Sequence, residues 1–161
     1  MKNFFISLIW QKWVFVSFIA SLFSCATPQD KVLQGPVFFV TFSTEQSAEP
    51  LDGRLLVMLS TDDSTEPRFQ IKDGPDSQLA FGIDVENWQA GTPITIDAAA
   101  FGYPIESLAD IKKGTYNVQI LLNKFETFNL STGHTVKLPM DKGEGQVWNR
   151  KPGNLYSTPQ K

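Results

Sequence analysis

From Val37 onward, apolar residues recur at every second position. Phe38, Val40 and Phe42 alternate with Phe39, Thr41 and Ser43, and Leu55, Val57 and Leu59 with Leu56, Met58 and Ser60. Leu79, Phe81, Ile83 and Val85 alternate with Ala80, Gly82, Asp84 and Glu86; Ile94 and Ile96 alternate with Thr95 and Asp97. Tyr116, Val118, Ile120 and Leu122 alternate with Thr115, Asn117, Gln119 and Leu121, and Val136 and Leu138 face away from Thr135 and Lys137. A period of two is the mark of a half-buried strand, because successive side chains leave the pleated backbone on opposite faces. Turn signals separate the runs: Glu49-Pro50-Leu51-Asp52-Gly53, Asp73-Gly74-Pro75-Asp76, Gly91-Thr92-Pro93, Gly114 and Gly133. The pattern predicts an all-β fold, an antiparallel immunoglobulin-like β-sandwich of about seven strands. Phe81, Ile83, Val118 and Ile120 are expected on inward faces.

No segment sustains a helical period. Ala98 to Ala100 and Ile105 to Ile111 have room for a turn or two of helix at most. Lys113-Gly114-Thr115-Tyr116 sets a tyrosine at the start of a late strand, just after a glycine turn. That placement looks like the tyrosine corner of immunoglobulin-like sandwiches, whose hydroxyl bonds backbone a few residues upstream. An ordinary half-buried strand tyrosine is the alternative. The Cys…Trp…Cys spacing of antibody domains is absent, so kinship with antibodies is not implied.

The first 25 residues are of another kind. Lys2 and Lys12 supply positive charge, Trp13 to Phe23 is an unbroken apolar and small run, and Leu22-Phe23-Ser24-Cys25 ends it at the chain's single cysteine. A basic head, a short apolar core and a small residue before the cut describe a secretory signal peptide. A membrane anchor needs about 20 apolar residues. Phe4 to Phe23 has that length, but Gln11-Lys12 interrupts it, and a central lysine costs roughly 3 kcal/mol of insertion. A cysteine at the cut matches bacterial lipoprotein processing, with Phe23 departing from the usual small residue. The expected organisation is a signal peptide (1–24, a signal-peptide helix), a tether (25–36) containing Pro28, and the sandwich (37–161). Cys25 is the expected lipidation site. The expected address is the cell envelope, lipid-anchored. Ala26 at the second position is compatible with sorting to a bacterial outer membrane, on its periplasmic or surface face.

Composition narrows the partners. Of 14 basic residues, Lys2 and Lys12 leave with the signal, so 12 basic residues face 17 acidic ones, a net of −5. An acidic domain without a basic cluster argues against nucleic acid. It also argues against attraction to anionic lipid, so membrane attachment falls to the acyl chains on Cys25.

Candidate chemistry is sparse. His134 is the only histidine, and no Gly-x-Ser-x-Gly elbow accompanies it, so no triad is expected. Zinc needs three or four His, Cys or carboxylate ligands, and a lone histidine with scattered acids falls short. Asp141, Gly143, Glu144 and Gly145 lack the acid spacing of an EF-hand loop. Asp62, Asp63 and Glu66 read as a solvated turn. No catalytic residue, no metal site and no cofactor are expected. Trp88, Tyr103, Trp148 and Tyr156 fall in predicted loops or strand ends, where exposed aromatics stack on sugar rings or else plug the ends of the sandwich.

The tail is distinct. From Asn123 to Lys161 only Thr135 to Met140 alternates. Gly143 to Ser157 joins flexible glycines to Trp148, Asn149, Arg150 and Tyr156, the candidate binding loop. Trp, Tyr and Arg give contact area and bidentate hydrogen bonds, and they are enriched where proteins bind. The competing expectation is that Trp148 and Tyr156 fold back to cover a sheet edge, with Asn149 and Asn154 holding the turn.

Several segments together resemble a known family. They are Asp52 to Ser60, Glu66-Pro67-Arg68-Phe69, Gly114 to Gln119, Gly133-His134-Thr135-Val136, and Gly143-Glu144-Gly145-Gln146-x-Trp148-Asn149 running to Pro152-Gly153-Asn154-Leu155-Tyr156-Ser157. They are similar to the amino-terminal, sandwich-like domain of secreted bacterial putative esterases of the enterochelin-esterase-like or esterase-D type. The resemblance covers about residues 37–161, and its last motif is the most specific. In that family the catalytic residues lie in a downstream α/β-hydrolase domain, so none carries over to this sequence. The resemblance implies a non-catalytic accessory or binding domain whose partner is a hydrolase domain. The alternative is a free-standing surface lipoprotein that binds a glycan or an envelope protein.

Overall fold

The computed structural model describes residues 35–141, 143, 145 and 147–161. The expected signal peptide, most of the tether and Cys25 lie outside the described residues. The rest is an antiparallel β-sandwich with eight strands: β1 (Phe38–Val40), β2 (Leu51–Ser60), β3 (Leu79–Trp88), β4 (Ile94–Ile96), β5 (Phe101–Tyr103), β6 (Asn117–Asn129), β7 (Thr135–Pro139) and β8 (Leu155–Tyr156). Two single 3-10 turns, Pro67–Phe69 and Leu108–Asp110, complete it.

The two sheets are unequal. β1 and β4 form a two-stranded sheet, while β5-β3-β2-β6-β7 runs in order through a six-stranded one in which β8 also pairs with β6. All six pairings are antiparallel. β2 is the centre of the larger sheet. It sets Val57 beside Phe81 on one side and beside Ile120 on the other. Paired residues share a face, so this register gathers Leu55, Val57, Phe81, Val85 and Leu122 into one apolar layer. Phe42, Trp88, Ile96, Ala100 and Leu108 close over it, and all of these are buried. Phe42 meets the edge of Trp88 at 4.8 Å between ring centroids, and the indole N–H donates to Thr92 O at 2.7 Å. That bond satisfies the polar atom of a large buried ring.

The inward faces match the alternation only in part. Phe81 is fully buried, whereas Ile83, Val118 and Ile120 are half-buried against the core. Val118 and Ile120 line an open groove beside the two-stranded sheet, which does not cover them. β5 approaches β3 closely because Gly102 has no side chain: a Cβ there would lie 2.2 Å from the Phe81 ring.

β6 runs seven residues past Leu122, where alternation fails. Beyond Lys124 it leaves β2 and pairs with β7 alone, so Phe125–Asn129 and Thr135–Pro139 form a two-stranded ribbon. The β6 half of this ribbon carries no period-two signal, although β7 alternates. His134 lies in its turn, and Gly133 adopts a φ of 84° that suits glycine. β5 and β8 were not legible in the pattern. β8 has only two residues, and β5 turns its glycine inward with Phe101 and Tyr103 exposed, so neither displays an apolar period.

Tyr116 behaves as the corner placement implies. Its hydroxyl donates to Lys112 O, four residues upstream, at 2.9 Å.

Burial ranks the core positions. Phe81→Ala should cost about 3–5 kcal/mol in denaturant unfolding, and Ile120→Ala less than about 2 kcal/mol. Equal losses at the two positions would contradict the open flank over Ile120.

Candidate functional site

Part of the outer face of the six-stranded sheet is covered as well. Met58 and Gln119 are register partners on β2 and β6, opposite in facing to Val57 and Ile120, and both are completely buried. Leu121 beside them is also completely buried. The cover is the Pro67–Phe69 turn and the C-terminal tail, drawn together around one amide.

A buried side-chain amide left unpaired costs about 1–3 kcal/mol, so its partners matter. Gln119 Oε1 accepts the Arg68 backbone N–H at 3.0 Å. Its Nε2 donates to Glu66 Oε2 at 2.8 Å and to Ser157 O at 2.9 Å. One residue of β6 thereby fixes the turn and the tail. Arg68 Nε closes a loop by donating to the same Glu66 oxygen at 2.8 Å. Arg68 and Asn149 then bond reciprocally: Arg68 Nη1 donates to Asn149 O at 3.3 Å and Asn149 Nδ2 to Arg68 O at 2.7 Å.

Asn154 holds the other end of the tail. Its Oδ1 accepts the Lys124 N–H at 2.9 Å, and its Nδ2 donates to Trp148 O at 2.7 Å and Asn123 Oδ1 at 3.2 Å. From Leu155 the tail zips along β6. Leu155 and Tyr156 pair with Leu122 and Leu121, Ser157 N–H donates to Ile120 O, and Gln160 exchanges backbone bonds with Val118. The edge of β6 not taken by β7 is therefore covered, as the fold-back expectation requires.

The candidate loop residues do not stand together as a free loop. Asn149 belongs to the clasp. Trp148 is half-buried, with its carbonyl bonded by Asn154. Tyr156 and Arg150 remain accessible, at either end of a stack that sequence reading missed. The Arg68 guanidinium lies 3.7 Å from the Tyr156 ring centroid and 4.2 Å from that of Phe69, and Arg150 lies 5.0 Å from Phe69. Arg68 is enclosed, its side chain 11% exposed, while Tyr156 is 50% exposed. The Arg150 guanidinium has no hydrogen bond or ion pair among the described residues. Of the other aromatic candidates, Trp88 is buried and Tyr103 exposed.

Glu66 is a correction to the solvated-turn reading. Its hydrogen bond from Arg68, then that from Gln119, hold its carboxyl below the ordinary glutamate range. The sequence signal for this covered face was present in Leu56, Met58 and Leu121, which are apolar on a side otherwise read as solvent-facing.

Two concavities flank the clasp. An apolar groove of about 490 Å³ opens between β1 and the β6–tail edge, with Val118, Ile120 and Leu155 among its lining. A cleft of about 780 Å³ at the loop end is lined by both signs of charge (Asp62, Asp76, Asp110, Lys72, Lys112) and by the rings of Phe69 and Tyr116. Among the described residues no three His, Cys, Asp or Glu side chains converge to hold a metal. Compared with protein-family models, curated proteins and solved structures, the chain matches none.

Glu66 gives the clasp a pH signature. A carboxylate lowered in the folded state stabilises above its unfolded pKa, and that stability is lost as pH falls through the folded value. Wild-type stability should therefore decline in the acid range more steeply than that of Glu66→Gln, followed by urea midpoints from neutral to acid pH. Parallel curves for the two proteins would show that the Glu66 carboxylate contributes nothing to the clasp.

Proposed function

We propose that this chain is a lipid-anchored, non-catalytic accessory domain of the bacterial cell envelope, of the kind that precedes the hydrolase domain in the secreted esterases it resembles. One observation supports this reading most directly. Glu66, Arg68, Gln119, Asn149, Asn154 and Ser157 come from three separate resembling segments, and they meet in a single hydrogen-bonded clasp. Short motifs matched by chance would be scattered over the fold. Residues matched because they hold one domain shape together would converge, as these do. This convergence supports a likeness of domain architecture, with a hydrogen-bonded face that leaves Tyr156 and Arg150 accessible.

A second reading, glycan binding, is favoured by the cleft at the loop end. Carboxylates and amines that hydrogen-bond hydroxyls, set beside aromatic faces, are what a sugar needs from a site. Phe69 belongs both to this cleft and to the arginine–aromatic stack, so the two features adjoin. On this reading the domain holds its partner enzyme, or itself, against envelope polysaccharide.

Mass spectrometry of the mature protein should find Cys25 acylated and first in the chain, and Cys25→Ala should no longer fractionate with membranes. The purified protein should not turn over short-chain esters. Arg150→Ala and Tyr156→Ala should weaken retention on immobilised envelope polysaccharide while leaving the melting temperature within a degree or two, since both side chains are accessible. A membrane-bound Cys25→Ala protein, or ester hydrolysis abolished by a point change in this domain, would overturn the proposal. Unchanged retention in both surface variants would remove the glycan reading alone.

A further inference from the structure

We propose that the groove between β1 and the β6–tail edge is a docking site for an extended, uncharged, apolar strand of a partner protein, which adds to β1 as the third strand of the smaller sheet. The site adjoins the clasp through Tyr156 and Ser157 but is lined mainly by β1 and the core-facing side of β6, and the inference does not depend on the glycan reading.

Two unlike deficits meet here. The first is in the backbone. β1 pairs with β4 on one side, and among the described residues Val37 to Thr41 make no backbone hydrogen bond on the other. An exposed strand edge of this kind is a template for a further strand. The second deficit is in side chains. Val118 and Ile120 occupy the core-facing register of β6, yet they stay half-buried because the smaller sheet ends at β1. Together with Leu155 they form the groove floor, and Phe38 and Val40 of β1 form its wall. Its rim carries Val37, Phe39 and Tyr156, which are 49%, 74% and 50% exposed. Exposed apolar side chains gathered around an apolar groove mark a binding surface rather than the usual scatter of surface hydrophobics.

The occupant follows from these deficits. A strand offers backbone donors and acceptors along β1 and an apolar side chain at every second position over Val118 and Ile120. An acyl chain fills the volume but leaves the edge unpaired, and a sugar meets neither need. Charge narrows the choice further. No Asp, Glu, Lys, Arg or His lines the groove, although the domain carries a net charge of −5, so the complementary segment is uncharged. The chain's own residues 26–34 are a poor match, since they bring Asp30, Lys31 and Pro28, and proline has no N–H to give.

The test uses the full chain in lipid nanodiscs and a short capped peptide of alternating valine and threonine as probe. Hydrogen exchange should slow at the Phe38 to Val40 amides when the peptide is added. A fully N-methylated version of the peptide should bind at least about tenfold more weakly, because the backbone bonds are gone. Ile120→Glu on the floor and Val37→Glu on the rim should each weaken binding, with Val37→Glu, at an exposed position, leaving the fold intact. Phe101→Glu, on the far edge of the larger sheet and 66% exposed, should have no effect. Four results would overturn the proposal: no peptide binding, equal binding of the methylated peptide, palmitate protecting the same amides and displacing the peptide, or protection that instead rises with protein concentration alone.

Discussion

One buried amide organises the outer half of this domain. Gln119 sits in the middle of a strand, under full burial, where an unpaired amide would be costly. Its three partners come from the Pro67–Phe69 turn, from the acid that precedes it and from the tail. Glu66 and Arg68 lie together in sequence, but both are far from Gln119 and from Ser157, so the amide fixes the turn and the tail in one arrangement or is left unsatisfied. Everything else on that face follows: the Arg68 guanidinium is stacked between Phe69 and Tyr156, Asn149 locks onto the Arg68 backbone, and the tail is aligned to zip along β6.

The opposite face obeys a different constraint. A six-stranded sheet is set against a two-stranded one, and the smaller sheet is too narrow for the apolar layer it faces. Where the two overlap, Val57, Phe81 and Ile96 are completely buried; where they do not, Val118 and Ile120 line an open groove. The domain is therefore finished on its outer face by polar hydrogen bonds and unfinished on one flank of its inner face. The proposed function would use both, a hydrogen-bonded side that presents side chains and an open side that could receive a strand.

The period-two runs announced the sandwich because burial of one face dictates alternation, and β2, β3 and the first half of β6 are buried that way. The later half of β6 was illegible: paired only with β7, it buries no face, and its sequence does not alternate. Gln119 was misplaced because a polar residue between Val118 and Ile120 reads as solvent-facing, and only the apolar company of Met58 and Leu121 argues otherwise. Of the candidate tail residues, Asn149 and Asn154 were legible as turn holders from their type. Arg68 was not, since its role depends on contacts with residues more than eighty positions away. The half-burial of Ile120 was equally invisible, because alternation tells which way a side chain points and not whether anything lies above it.

The claim that Gln119 couples turn and tail is tested most directly by native-state hydrogen exchange in Gln119→Leu, a change that keeps the shape and removes the amide. The account predicts that the Arg68, Ser157 and Gln160 amides lose protection together, while those of Val57 and Phe81 in the core keep theirs. Faster exchange at Arg68 alone, with Ser157 and Gln160 as protected as in the wild type, would contradict it.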